Sequence, residues 1–103
     1  MRINIERLWL RLAELAEIGE IPLTLGSSRL ALTPEDRDAR DLVVAWMRDL
    51  GMEIKIDLVG NVIATWRGDK TNPDNSAVMT GSHIDTVRTG GRFDGNLGVL
   101  AGL

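Results

Sequence analysis

The residues able to do chemistry gather in one stretch, "TGSHIDTVRTGGRFDGNLGV", residues 80–99. It holds the chain's only histidine, His83, with Asp85 two residues on and Asp94 beyond a pair of glycines. In an extended segment residues i and i+2 point to the same side, so Asp85 lies on the side of His83. A carboxylate placed there can accept the second ring N–H of a metal-bound imidazole, fixing its tautomer and raising its basicity. Asp94 follows Gly90 and Gly91 and precedes Gly95, so backbone bulk does not obstruct a close approach. Its two oxygens could bridge two cations, and metal pairs about 3.5–4 Å apart are a recurring hydrolytic device. Each residue also has a plainer reading. His83 could be a hydrogen-bonded structural histidine, Asp85 a turn residue, and Asp94 the N-cap of the apolar run that follows. Two other motifs are weaker: "GGRFDG" matches neither the dinucleotide fingerprint nor the P-loop. "DGNLG" lacks the twelve-residue ligand spacing and closing glutamate of a calcium loop.

Composition limits the alternatives. A chain of 103 residues is one domain at most, or part of one. With 44% apolar and 26% charged residues it has the make-up of an ordinary soluble globular protein. A net charge of -3 gives no electrostatic footprint for nucleic acid. No apolar run approaches the roughly 20 residues that span a bilayer, and the charged N-terminal segment lacks the apolar core of a secretory signal. The chain has no cysteine, which removes disulfides and thiolate ligands and fits a cytoplasmic protein. Any metal would have to use histidine and carboxylates.

The elements that must position these residues can be read along the chain. Asn4 is an N-cap for a helix over 5–18, where Ile5, Leu8, Trp9, Leu12, Leu15 and Ala16 recur at helical spacing and Gly19 follows. "TPED" starts a second helix, with Thr33 as N-cap, Pro34 in the first turn and acids at its positive end. Its stripe is Ala39, Leu42, Val43, Trp46, Met47 and Leu50, closed by Gly51. Trp9 and Trp46 are expected in the core. From Met52 the period becomes two: "EIKIDL" and "VIATW" form a hairpin about Gly60-Asn61. "RGDKTNPDNS" reads as a solvated polar loop, and its Arg67-Gly68-Asp69 tripeptide as part of that turn rather than an integrin ligand. "AVMTGS" reads as a short strand buried on both faces, with His83 at its carboxyl end, where ligand sites gather in open α/β sheets. The order predicts an α/β fold with helices packed on a mixed sheet. The apolar run to Leu103 has no stop signal, so the chain reads as the front of something longer.

The segments Gly81-Ser82-His83-Ile84-Asp85-Thr86-Val87, Gly90 to Gly95 and Leu97 to Gly102 closely resemble the binuclear-metal amidohydrolases of the aminoacylase/carboxypeptidase superfamily. The likeness is nearest the branch holding N-carbamoyl-L-amino acid hydrolases, β-ureidopropionases and allantoate amidohydrolases. It covers nearly the whole chain, including Arg29-Leu30-Ala31 before the "TPED" helix and Asp57 ahead of Gly60-Asn61. The resemblance implies that residues 1–103 are the N-terminal portion of a zinc-exopeptidase-like α/β catalytic domain. It implies His83 as a ligand of one metal, Asp94 as the carboxylate bridging two, and Asp85 as the active-site residue that orients His83. The metals would be zinc by default, with manganese, cobalt or nickel suiting the same donors. The implied reaction is hydrolysis of a small N-carbamoyl-L-amino acid to amino acid, ammonia and carbon dioxide, by a water that a glutamate activates. Allantoate and N-carbamoyl-β-alanine are the alternative substrates, and the whole protein would be a homodimer. The glutamate base, the other ligands and the lid domain are expected past Leu103, so the chain alone should bind metal poorly and be inactive. A truncated, non-catalytic fragment is the competing reading. Asn96 departs from the small residue or proline expected beside the bridging carboxylate.

Overall fold

A computed structural model describes residues 3–68 and 76–103. Helix α1 runs Ile5–Glu17, and the Asn4 side chain accepts the Arg7 N–H at 3.0 Å. The helix stops at Gly19, whose φ of 80° turns the chain into the left-handed region that glycine enters without a Cβ penalty. Helix α2, Pro34–Asp49, begins as its residues dictate. Thr33 Oγ1 accepts the Asp36 N–H at 3.3 Å, and the Asp36 carboxylate reaches back to the Leu32 N–H at 3.0 Å. These reciprocal bonds satisfy donors that a helix start leaves without partners.

The core is the seam between these helices. Leu12 and Leu15 of α1, Ala39, Val43 and Met47 of α2, and Leu100 of the short helix α3 (Asn96–Leu100) form one buried cluster. The stripe prediction therefore holds for its centre and fails at its edge. Trp9 lies at the margin of the α1 contact face, 56% exposed, resting edge-on against Phe93 with ring centroids 5.8 Å apart. Trp46 is half-buried against the cluster, with the Arg11 guanidinium 5.3 Å above its ring.

Four short strands complete the fold: β1 (Gly26–Ser27), β2 (Glu53–Ile56), β3 (Val62–Thr65) and β4 (Gly90–Gly91). β2 and β3 form the expected antiparallel hairpin, in the register Ile54↔Ala64 and Ile56↔Val62. Its turn is held by Asp57, whose carboxylate accepts the backbone N–H groups of Val59 and Asn61 and the Asn61 side-chain amide, all within 3.0 Å. Those bonds hold the Asp57 carboxyl below its ordinary pKa of 3.8. Arg40 of α2 donates to the Gly60 carbonyl and ties the turn to the helix.

The α/β class holds; the strand pairing differs from the expectation of one mixed sheet. Among the described residues there are two separate two-stranded antiparallel ladders, β2–β3 and β1–β4. The segment expected as a doubly buried strand, 77–82, pairs with nothing described and is exposed, as are Val78 and Met79. Apolar side chains favour a strand only where a neighbouring edge accepts its backbone groups. The polar loop falls mostly outside the described residues, though Arg67 is seen paired across the hairpin with Glu53 at 2.9 Å.

Candidate functional site

The β1–β4 ladder explains how distant parts of the chain meet. It pairs Gly26 with Gly91 and Ser27 with Gly90, bringing the 26–29 loop alongside the segment that carries the acidic and histidine residues. Thr86 locks this union: its N–H donates to the Arg29 carbonyl at 2.7 Å, and its Oγ1 accepts the Arg29 N–H at 2.7 Å. On the other side, α3 presents glycines to residues 80–83. A Cβ at Gly98 would lie 2.8 Å from the Ser82 Cβ, and one at Gly102 would lie 2.6 Å from Thr80 Cγ2. The glycines of "DGNLGVLAGL" thus let the helix lie directly on the strand-like segment that ends in His83.

At the meeting point the structure brings all three sequence-predicted residues together. His83 Nδ1 lies 3.0 Å from the Asp85 carbonyl oxygen and 3.4 Å from the Asp85 carboxylate. Both neighbours are acceptors, an arrangement that suits the tautomer with its proton on Nδ1 and a lone pair on Nε2. Nε2 faces Asp94, 4.0 Å from Oδ1. That gap is too long for a hydrogen bond. It is within the span of two metal–ligand bonds of about 2.0–2.2 Å each. The side chains of His83, Asp85 and Asp94 are 52%, 44% and 72% exposed, so the site opens to solvent.

The plainer readings of these residues fare less well. Gly95, not Asp94, is the N-cap of α3, and no side chain makes a cap hydrogen bond there. A half-exposed histidine between two acids is not a buried structural one. Gly95 itself is demanded by the site: its φ is 70°, and a Cβ there would lie 2.6 Å from Nδ1 and Cε1 of the His83 ring, and nearer still to the His83 carbonyl oxygen.

In kind, the imidazole and the carboxylate suit a divalent first-row metal. In number they are incomplete, since a catalytic zinc usually takes about three protein ligands and a water. Among the described residues no group of three or more histidine, cysteine or acidic residues could hold a metal ion. Beside the site, a cleft of about 240 Å³ is lined by Asp36, Arg40, Asn61, Ser82, His83 and Asp85, with apolar residues of α2 as its floor.

Two neighbours of the site are not legible in the sequence. Arg29 stands there only as part of Arg29-Leu30-Ala31, yet it is wholly buried and reaches Ile84, between His83 and Asp85. Asn96, noted as a departure, is 1% exposed and bonds both Arg29 and the Arg92 carbonyl. The missing signal was the last turn of α1. It has no basic residue of its own, so its carbonyls needed a donor from elsewhere.

Known proteins extend this picture. No protein-family model matches the chain. An N-carbamoyl-L-amino acid amidohydrolase of Geobacillus stearothermophilus is 51% identical over 98 residues, which is 95% of this chain and 23% of the relative. An allantoate amidohydrolase of Bacillus subtilis is 44% identical over 78 residues, 76% of this chain and 18% of the relative. Among solved structures, a hydantoinase/carbamoylase family amidase from Burkholderia ambifaria superposes with a TM-score of 0.87 at 49% identity, over 97% of this chain and 24% of that one. The chain spans about a quarter of the length of the relatives it matches. Identity of this level along nearly the whole chain, with the same fold, places it with the relatives named N-carbamoyl-L-amino acid and allantoate amidohydrolase and with the hydantoinase/carbamoylase family amidases among solved structures, of whose length it matches about a quarter.

Proposed function

We propose that the chain supplies part of the metal centre of an enzyme that hydrolyses the ureido C–N bond of N-carbamoyl-L-amino acids. The observation that carries this reading is His83 held between two acids, with Asp85 at Nδ1 and Asp94 4.0 Å from Nε2. Support for the substrate class comes from the relatives, several of which bear the name N-carbamoyl-L-amino acid amidohydrolase. Allantoate is the second candidate, on the strength of the relatives named for it.

In this reading His83 and the Asp94 carboxylate would be among the residues that hold a pair of divalent metal ions, zinc by default. Bound metal would polarise the scissile carbonyl and make water a stronger nucleophile at neutral pH. The chain's own residues do the positioning. The Asp85 backbone carbonyl accepts a hydrogen bond from Nδ1–H, with the Asp85 carboxylate close by, which keeps Nε2 free and makes the imidazole a better donor. Gly95 lets Asp94 approach the ring. The residue that activates water and the remaining ligands belong to the rest of the whole protein, which on this reading is a cytoplasmic homodimer.

The test is ammonia release from N-carbamoyl-L-amino acids by the whole protein reconstituted with zinc, manganese, cobalt or nickel. Activity should vanish on chelation and in His83→Ala and Asp94→Asn. Full activity in His83→Ala would end the metal reading; turnover of allantoate alone would move the assignment to the second substrate.

A further inference from the structure

We infer that Arg29, braced by Asn96, is the positioning residue that sets the geometry of the His83–Asp85–Asp94 site, an inference that rests on the metal-centre reading above. Arg29 is fully buried, and among the described residues it pairs with no carboxylate within 4.0 Å. Its charge is instead solvated by oxygen dipoles. Nε donates to the Ile84 carbonyl at 2.9 Å; Nη1 donates to the Leu15 and Ile18 carbonyls at 3.1 and 2.6 Å; Nη2 donates to Asn96 Oδ1 at 3.1 Å. Burial lowers its pKa, opposed by the charges of Asp36 and Asp85.

An unpaired buried cation is costly unless its donors are satisfied, so its placement calls for a reason. One part is structural. Leu15 and Ile18 lie at the carboxyl end of α1, where free carbonyls and the negative end of the helix dipole favour a cation. That capping role needs only Nη1. The remaining donors are spent on the site. Ile84 is the residue between His83 and Asp85, and Asn96 stands two residues after Asp94. One planar guanidinium therefore fixes the distance between the segment carrying the imidazole and the turn carrying the facing carboxylate. Asn96 extends the brace, because its Nδ2 donates to the Arg92 carbonyl at 2.9 Å and pins the turn from within. A lysine could not replace it: its ammonium has three donors on one atom, without the planar fork that meets acceptors on three sides.

The sole histidine makes the test direct. Long-range proton–nitrogen spectra of the 103-residue chain report which ring nitrogen of His83 is protonated. They would be recorded at mildly alkaline pH. The wild-type chain should show Nδ1 protonated. Arg29→Lys and Asn96→Ala should each lose that predominance, because the Asp85 acceptors are no longer held at Nδ1. Leu12→Ala, a core substitution that removes none of the brace's hydrogen-bonding groups, should lower stability and leave the tautomer as it was. Should Arg29→Lys fail to fold, Asn96→Ala decides. Retention of the Nδ1–H form in the folded variants, its absence from the wild type, or its equal loss in Leu12→Ala would each overturn the inference. The chelation and His83→Ala assays on the whole protein separate this from the proposed function, because the isolated chain holds too few ligands for added zinc to decide it. Metal-independent activity with an Arg29-dependent tautomer sinks the metal reading and keeps the brace. Metal-dependent activity with a tautomer unmoved by either variant does the reverse.

Discussion

Replacing Gly95 by alanine is the most demanding check of the site's geometry, because the structure separates the contributions to its cost. The residue has φ 70° and ψ -47°, near the strained γ-turn conformation, so an alanine there carries at least the left-handed penalty of roughly 1–2 kcal/mol. Stiffening the unfolded chain returns about 0.4–1 kcal/mol, leaving a net loss of about 1 kcal/mol from the backbone alone. The methyl group would also sit 2.6 Å from the His83 ring and closer to its carbonyl oxygen, a position no neighbour can vacate without moving backbone. Overpacking of this kind costs about 1–3 kcal/mol more, so the whole is about 2–4 kcal/mol. Gly51→Ala is a reference for positive φ without crowding: its φ is 75° and a Cβ there meets nothing within 4 Å. In thermal unfolding of the 103-residue chain, Gly51→Ala should lower Tm by about 4–8 °C and Gly95→Ala by at least twice that. The Gly95 variant should also push the ring away from Asp94 and weaken what zinc binding the chain has, while Gly51→Ala leaves that binding alone. Equal Tm losses for the two variants would refute the claim that close approach to His83, rather than backbone conformation, demands glycine at 95.

Three further outcomes follow from named contacts. Asp85→Asn keeps the backbone carbonyl 3.0 Å from Nδ1 but removes the carboxylate charge 3.4 Å from it, so metal affinity of the whole protein should fall about 10-fold by calorimetric titration; an unchanged affinity would deny the Asp85 carboxylate its orienting role. Thr33→Ala removes the acceptor of the Asp36 N–H and should cost about 1 kcal/mol in urea unfolding, whereas Pro34→Ala at the same helix start should cost less. The folded-state pKa of Asp57 is depressed, so its share of stability is present above its ordinary value of 3.8 and is lost as pH falls through the lower folded value. The urea midpoint of wild type should therefore drop faster below that pH than that of Asp57→Asn, and parallel curves would show that the turn does not depend on the carboxylate.

What the sequence disclosed and what it withheld divide along physical lines. Helix starts were legible because they are local: Asn4, and Thr33 with Pro34, act on backbone groups three residues away. The hairpin was legible because alternation and a Gly-Asn turn are local as well. The β1–β4 ladder was not, since Gly26-Ser27 and Gly90-Gly91 have no strand propensity and pair only because Thr86 and Arg29 interlock. Residues 77–82 were misread for the converse reason, having strand composition without a described neighbour to pair with. Trp9 was placed inside because periodicity reports a face of the helix without reporting how far the neighbouring helices reach across it.

The candidate site shows the same division on a smaller scale. His83, Asp85 and Asp94 lie within one short stretch, and the i, i+2 relation of the first two survives into the structure as a contact at Nδ1. Their types and spacing therefore point to chemistry without any knowledge of the fold. Their relative positions do not follow from that stretch. Much of the segment is exposed, it has only a two-residue ladder, and it holds glycines that permit many conformations. What selects one of them is a buried cation that arrives from the loop after α1 and spends its donors on Ile84 and Asn96. A residue carrying charge into a core runs against composition-based expectation, and it is tolerated here because helix carbonyls are already waiting for it. In this chain the groups that would touch a metal are encoded locally, and the group that fixes their relative positions is encoded far from them in sequence.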